Sequence, residues 1–111
     1  MKMNVFELAE KLSLKKINIS DGKREIKRGY AGDLLSHVMV NGFKDSAWVT
    51  VMTNVNVSAV ASLLNVSCVI LCDGLFPDKD MLTAAEKHEI NVLSSEKTMY
   101  DICCDMREAG I

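Results

Sequence analysis

A chain of 111 residues, 49% hydrophobic and 25% charged, has the length and mix of one globular domain over residues 1–111 that buries its own core. Its 13 basic residues face 15 acidic ones, a formal charge of −2, so there is no surplus of cations to displace counterions from a nucleic-acid backbone, and no nucleic-acid partner is expected. No apolar run approaches the roughly 20 residues that span a bilayer, and Glu7 and Glu10 stand where a secretory leader is uncharged, so no membrane partner is expected and the cytoplasm is the expected compartment.

In chain order, Val5, Leu8, Ala9 and Leu12 recur at helical spacing, with Asn4 placed to cap the helix and Glu7 three residues on to complete a capping box. Residues 14–19 alternate polar and apolar in part, which predicts a strand exposed on one face, and Ser20-Asp21-Gly22-Lys23 is a turn. Residues 25–28 read as a second short strand or extended chain. Gly29-Tyr30-Ala31-Gly32-Asp33 reads as a glycine-rich lead-in, with Asp33 starting a helix that carries Leu34, Leu35, Val38 and Met39. Backbone N–H groups there would suit an anion, but a tight turn capped by an aspartate is the plainer reading, since Asp33 itself repels a phosphate.

Residues 47–52 have the β-branched and aromatic content of a strand. Thr53-Asn54-Val55-Asn56 then offers caps to a helix marked by Val57, Val60, Ala61 and Leu64 and running to about Asn65. From Val66 to Cys72 only Ser67 interrupts an apolar run, which predicts a strand buried on both faces and organising the rest. Asp73-Gly74 ends it, and Asp78 caps a helix over residues 79–89. Residues 90–93 form a short strand, and Ser94-Ser95-Glu96 caps a last helix whose apolar stripe is Met99, Ile102, Cys103 and Met106. Strands starting near residues 47, 66 and 90, each followed by a helix, repeat every 20 residues or so, the length of a compact βα unit. The fold class is therefore α/β: a single small three-layer domain with a mostly parallel sheet, joined by right-handed crossovers and flanked by helices.

In such a sheet the loops leaving the carboxyl ends of the strands gather beside helix N-termini, where ligands usually bind. Three loops qualify: Thr53-Asn54-Val55-Asn56, Cys72 to Asp78, and Ser94-Ser95-Glu96-Lys97. With Asp33, the residues Thr53, Asn54, Asn56, Cys72, Asp73 and Gly74 are the candidate ligand-binding set, although every one of these types also serves in ordinary caps and turns. Catalytic residues are not identified: His37 and His88 both fall inside predicted helices, no nucleophile–base pair is visible, and both glycine-rich phosphate motifs are absent. No cofactor or metal is expected, because Cys68 and Cys72 lie four residues apart on one strand face, roughly 13 Å, too far for one ion. The four cysteines, Cys68, Cys72, Cys103 and Cys104, read as buried small hydrophobes in a reducing compartment; alone, Cys72 at the loop edge is the alternative reactive thiol. A helix-turn-helix is disfavoured by the strand-like KKINI where a recognition helix would follow the first helix.

Four segments, VFELAEKLSLKKI, GYAGDLLSHVM (Gly29 to Met39), WVTVMTNVNVSAVA (Trp48 to Ala61) and VILCDGLFPD (Val69 to Asp78), resemble in order and spacing a stand-alone DRTGG domain, a small α/β module similar in fold to the N-terminal domain of HPr kinase/phosphorylase. On this resemblance the family's Thr-Gly-Gly falls on Cys72, Asp73 and Gly74, of which only the last glycine is kept. The loop at Thr53-Asn54-Val55-Asn56, where the Asp-Arg pair of the family would lie, holds neither, which removes a bidentate phosphate contact. The resemblance implies a non-catalytic regulatory or ligand-sensing module, acting as a homodimer or with a partner enzyme, an anaerobic redox enzyme among the partners it suggests, and binding a nucleotide or other small polar ligand. The alternative is an enzyme of phosphoryl or acyl transfer, suggested by the kinase alone, whose catalytic parts lie in another domain.

Overall fold

A computed structural model describes residues 2–111. In chain order its elements are β1 (Met3–Asn4), α1 (Val5–Lys11), β2 (Lys15–Asn18), β3 (Glu25–Ile26), β4 (Arg28–Ala31), α2 (Leu35–Asn41), β5 (Ser46–Thr50), α3 (Val55–Leu64), β6 (Cys68–Leu71), α4 (Lys79–Lys87), β7 (Val92–Ser94) and α5 (Met99–Glu108). Five strands form one sheet in the order β2-β7-β6-β5-β4, and β1 pairs with β3 in a small antiparallel ribbon. From β4 to β7 the strands are parallel; β2 runs antiparallel to β7. This is the predicted α/β architecture with a mostly parallel sheet, and β6, the organising apolar run, is its middle strand.

Alternation along the strands sorts side chains to two faces, which is what makes the domain three-layered. Ala47, Val49, Cys68, Ile70 and Leu93 pack with Val5, Leu8 and Ala9 of α1 and with Ile102 and Met106 of α5. Trp48, Val69, Leu71 and Val92 pack on the other face with Val38 of α2, Val57, Val60 and Ala61 of α3, and Met81 and Ala85 of α4. All four residues of β6 are fully buried, so each of its larger side chains contributes on the order of 1.5–3 kcal/mol of apolar transfer. Polar residues on neither face of β6 is the pattern of a parallel strand covered twice.

The predicted capping box forms as read: the Glu7 N–H donates to Asn4 Oδ1 at 2.8 Å and the Asn4 N–H donates to Glu7 Oε1 at 2.9 Å. Several expectations need correction. Gly29, Tyr30 and Ala31 are not a lead-in to a helix but the body of β4, the edge strand beside β5. The last helix is capped not by Ser94-Ser95-Glu96 but by Thr98, whose Oγ1 accepts from the Asp101 N–H at 3.2 Å; Ser94 continues β7. The cysteines also divide: Cys68 and Cys72 are buried, whereas Cys103 is half-buried and Cys104 exposed, so the buried-hydrophobe reading holds for the first two only.

The turn entering β5 is held by charge. Asp45 and Asn65 both adopt left-handed backbone, φ 59° and 58°, and the Arg24 guanidinium donates to the Asp45 carboxylate at 2.9 Å and to the Asn65 carbonyl, with Lys27 3.7 Å from the same carboxylate. The hydrogen bond from Arg24 holds the Asp45 carboxyl below its ordinary range, against the opposing effect of burial. A depressed carboxyl pKa stabilises the fold above the unfolded value and stops doing so as pH falls through the folded one. Stability should therefore fall more steeply below about pH 4 in the native chain than in Asp45→Asn, by an amount under about 1 kcal/mol for a pair this near the surface. Urea midpoints taken as a function of pH check this, and equal slopes in the two proteins would remove Asp45 from the acid response.

Candidate functional site

The parallel strands β4, β5, β6 and β7 deliver their carboxyl ends to one edge of the sheet, and that edge is where the predicted residues lie. Asp33 is there, but not as a helix start. α2 begins at Leu35 with Leu34 at the cap position and no side-chain cap bond. The carboxylate of Asp33 instead crosses to β5, where Oδ1 accepts from Thr50 Oγ1 at 2.7 Å and from the Val51 N–H at 2.9 Å. Its place is set by the residue before it: the Gly32 N–H donates to the Val49 carbonyl at 3.1 Å, and the indole N–H of Trp48 donates to the Gly32 carbonyl at 3.0 Å. Asp33 Oδ2 accepts nothing from the described residues.

After β6 the chain turns through two successive left-handed residues, Asp73 at φ 58° and Gly74 at φ 69°. Glycine takes this conformation without steric penalty and aspartate is among the few other residues that tolerate it, so the altered signature keeps the turn. Its N–H groups are already engaged: that of Asp73 donates to the Lys97 carbonyl at 2.9 Å and that of Gly74 to the Ser95 carbonyl at 2.8 Å. The Ser95 N–H returns a bond to the Leu71 carbonyl at 2.9 Å, and Ser94 Oγ donates to the Leu75 carbonyl at 2.8 Å. The loops after β6 and β7 are thus laced together, and the chemistry they offer outward is that of side chains.

Cys72 lies beneath this turn with no exposed surface, its Sγ 3.5 Å from the Thr50 carbonyl oxygen and 3.9 Å from Asp73 Oδ2. Burial first, and then the charge of Asp73, push its thiol pKa up. Burial raises Cys68 further, to about 12. A thiol held protonated and covered is no nucleophile, which answers the alternative reading of Cys72.

The loop after β5 supplies a cap to the helix that follows, as its sequence suggests. Asn54 caps α3, its Oδ1 accepting from the Asn56 N–H at 2.9 Å, so Asn56 belongs to the first turn of the helix. The Thr53 carbonyl accepts from the Asp78 N–H at 2.8 Å and joins this loop to the start of α4, where Asp78 Oδ1 caps the Met81 N–H as predicted. Asp33, Thr50, Cys72 and Asp73 therefore form one connected cluster, with Gly74 on its β7 side, while Asn54 and Asn56 serve the helix.

Beside Gly74 is a cleft of about 490 Å³, lined among others by Lys15, Phe76, Ser95, Glu96 and Lys97. The ammonium of Lys15 lies 4.9 Å from the centre of the Phe76 ring, and that of Lys97 pairs with Asp105 at 2.7 Å. Sequence reasoning missed Lys15, Thr50 and Phe76. Thr50 looked like any strand residue, and Lys15 reaches the site only because β2 pairs with β7, at Lys15↔Ser94, a pairing with no local signal. Among the described residues no three His, Cys, Asp or Glu side chains are grouped to hold a metal ion. His37 is exposed on α2 beside Asn41, and His88 is exposed at the end of α4.

Residues 35–108, about two thirds of the sequence, match the family model described as HPr Serine kinase N terminus. The chain belongs to this family. Among solved structures, this member of the HPr kinase N-terminal family is similar to the CBS and DRTGG domains of the regulatory region of Clostridium perfringens pyrophosphatase, a structure complexed with its activator diadenosine tetraphosphate. The TM-score is 0.68 at 17% identity over 86% of this chain, a likeness of fold, and the fold is that of a DRTGG-like domain. The chain spans 42% of the length of that structure. No curated protein matches it. The family match begins at the first residue of α2, so the Asp33 clamp stands just ahead of the matched segment. No helix among the described residues is long and apolar enough to cross a membrane.

Proposed function

We propose that this chain is a non-catalytic regulatory module, one domain acting in the cytoplasm, that senses a small polar metabolite with an anionic group at the carboxyl edge of its sheet and relays that state to a partner enzyme. The observation that carries the reading is the convergence of three strand ends, those of β4, β5 and β6, on one cluster, Asp33–Thr50–Cys72–Asp73, flanked by a cleft in which Lys15 and Lys97 supply positive charge and Phe76 an aromatic face. Ammonium groups suit phosphate or carboxylate, and an aromatic ring suits a planar base, so a nucleotide suits both kinds of group in the cleft. The relative complexed with diadenosine tetraphosphate lends support from outside. The non-catalytic part rests on the two imidazoles, exposed on α2 and at the end of α4 and not part of this cluster, and on the burial of Cys72, which pushes its thiol pKa up. A homodimer is part of the same reading, supported by the exposed Leu34, Met39 and Val40 in and before α2.

Thermal-shift measurements with adenine nucleotides and acetyl phosphate test the site. A ligand at a hundred times its Kd stabilises by about 2.7 kcal/mol, enough to raise Tm by several degrees. Lys97→Ala and Lys15→Ala should reduce that shift, and Asn54→Ala should leave it in place. A shift untouched by either of the first two moves the ligand away from the loop edge. Should none of these ligands raise Tm, the partner protein becomes the module's only input.

A further inference from the structure

On one side the five-stranded sheet ends at β4, whose outer edge pairs with no strand among the described residues. An edge strand presents alternate N–H and C=O groups without ladder partners, a template on which another strand can be added. Arg28, Gly29 and Ala31 are exposed along it, and a groove of about 450 Å³ straddles it. On one face of the edge, the Arg28 guanidinium lies 4.1 Å from the centre of the Phe43 ring, which the Tyr30 ring meets edge-on at 6.1 Å. The other face is bounded by α5: the Met106 methyl occupies the space a Cβ on Gly29 would need, at 2.5 Å, and Arg107 follows it.

The charge of this groove is the reverse of the chain's. Lys27, Arg28 and Arg107 line it and no aspartate or glutamate does, in a protein of net charge −2. Lys27 is 3.7 Å from Asp45, and Arg107 reaches the Ile111 carbonyl oxygen at 3.4 Å. Arg28 has no carboxylate within ion-pair distance among the described residues. We propose that the β4 edge binds an extended acidic segment of a partner protein, added as a strand beside β4 with its carboxylates on Arg28 and Arg107. Main-chain bonds supply affinity in this mode and alternate side chains supply selectivity; successive residues of an added strand point to opposite faces, one set toward Arg28 and Phe43, the other toward Arg107. A second copy of the chain suits the edge less well, because it would bring three cations of its own into an interface lined by three more and by no aspartate or glutamate.

A fluorescein-labelled peptide about eight residues long, repeating Thr-Thr-Glu-Glu so that as a strand it carries glutamates on both faces, titrated into the full chain and followed by anisotropy, tests the proposal. The expected result is binding that weakens with salt and that Arg28→Glu reduces about tenfold at unchanged Tm, while a threonine–lysine peptide does not bind. The double variant Arg28→Glu, Arg107→Glu should reverse the preference and take up the lysine peptide. Absence of binding by the glutamate peptide overturns the proposal, as do equal binding of both peptides or amide shifts that map away from residues 27–31. Sedimentation that shows a dimer dissolved by Arg28→Glu also overturns it, in favour of self-association. None of these results depends on the loop-edge cluster.

Discussion

Trp48→Ala should lower the stability of the fold by about 4 kcal/mol. The side chain is 1% exposed and is the largest one fully buried, at the centre of the layer between the sheet and α2, α3 and α4. Two losses combine. Removing the indole leaves a cavity that only partial relaxation fills, and it strips the Gly32 carbonyl of the donor that fixes the residue preceding Asp33. Trp48→Phe separates them, since it keeps much of the ring and orphans the carbonyl; it should cost about 1–2 kcal/mol. Denaturation followed by circular dichroism gives both numbers, and a loss below about 1 kcal/mol for the alanine variant would mean that the packing around Trp48 is not what holds this layer. Trp48 is the chain's only tryptophan. Its fluorescence in the native chain therefore reports directly on the strand that carries Thr50.

The second large effect belongs to Asn91, which is 3% exposed and uses all of its amide. Its Nδ2 donates to the Asp21 carbonyl at 2.8 Å and to the Ser67 carbonyl at 2.9 Å, and its Oδ1 accepts from the N–H groups of Ser20 and Asp21 at 2.8 and 3.0 Å. One side chain thus pins the loop after β2 to the entry of β6. Asn91→Ala leaves several main-chain groups without partners at once, and about 3 kcal/mol of stability should go with them. Asn91→Asp is the sharper variant. It is nearly the same size and keeps the acceptor, but it turns a donor into an oxygen facing two carbonyls, so it should be at least as damaging as alanine at neutral pH. Urea unfolding of the two variants decides this, and an Asn91→Asp protein as stable as the native one would show that the donor half of the amide carries no weight.

Where the sequence carried a strong periodic or capping signal, the structure follows it. The buried run at β6, the capping box of α1 and the aspartate cap of α4 are local patterns, set by a few residues whose chemistry has few alternatives. β4 was illegible because Gly29 and Gly32 signal a turn; the chain is extended there because β5 offers it a partner, a tertiary cause that outweighs glycine's weak strand propensity. Asp33 was misplaced for the same reason. With β4 in the sheet, its carboxylate finds the hydroxyl and N–H of the neighbouring strand end before it reaches a helix. Of the candidate site, the edge of the sheet and the strand ends followed from the βα rhythm, while the side-chain partners across it did not, since Lys15 comes from a strand about 80 residues away in the chain.

That same pairing orders events during synthesis. β4, β5 and β6 meet their neighbours within a few tens of residues, so this half of the sheet can assemble as it leaves the ribosome. β2 has no neighbour until residues 92–94 have emerged, and the Asn91 contacts to Ser20 and Asp21 close at a separation of 70 residues or more. The first strand of the sheet to be made is the last that can dock. A chain stopped before β7 would carry one flank of β6 bare and β2 unpaired, open edges in addition to that of β4, and so would be more of a substrate for proteases and aggregation than the finished domain.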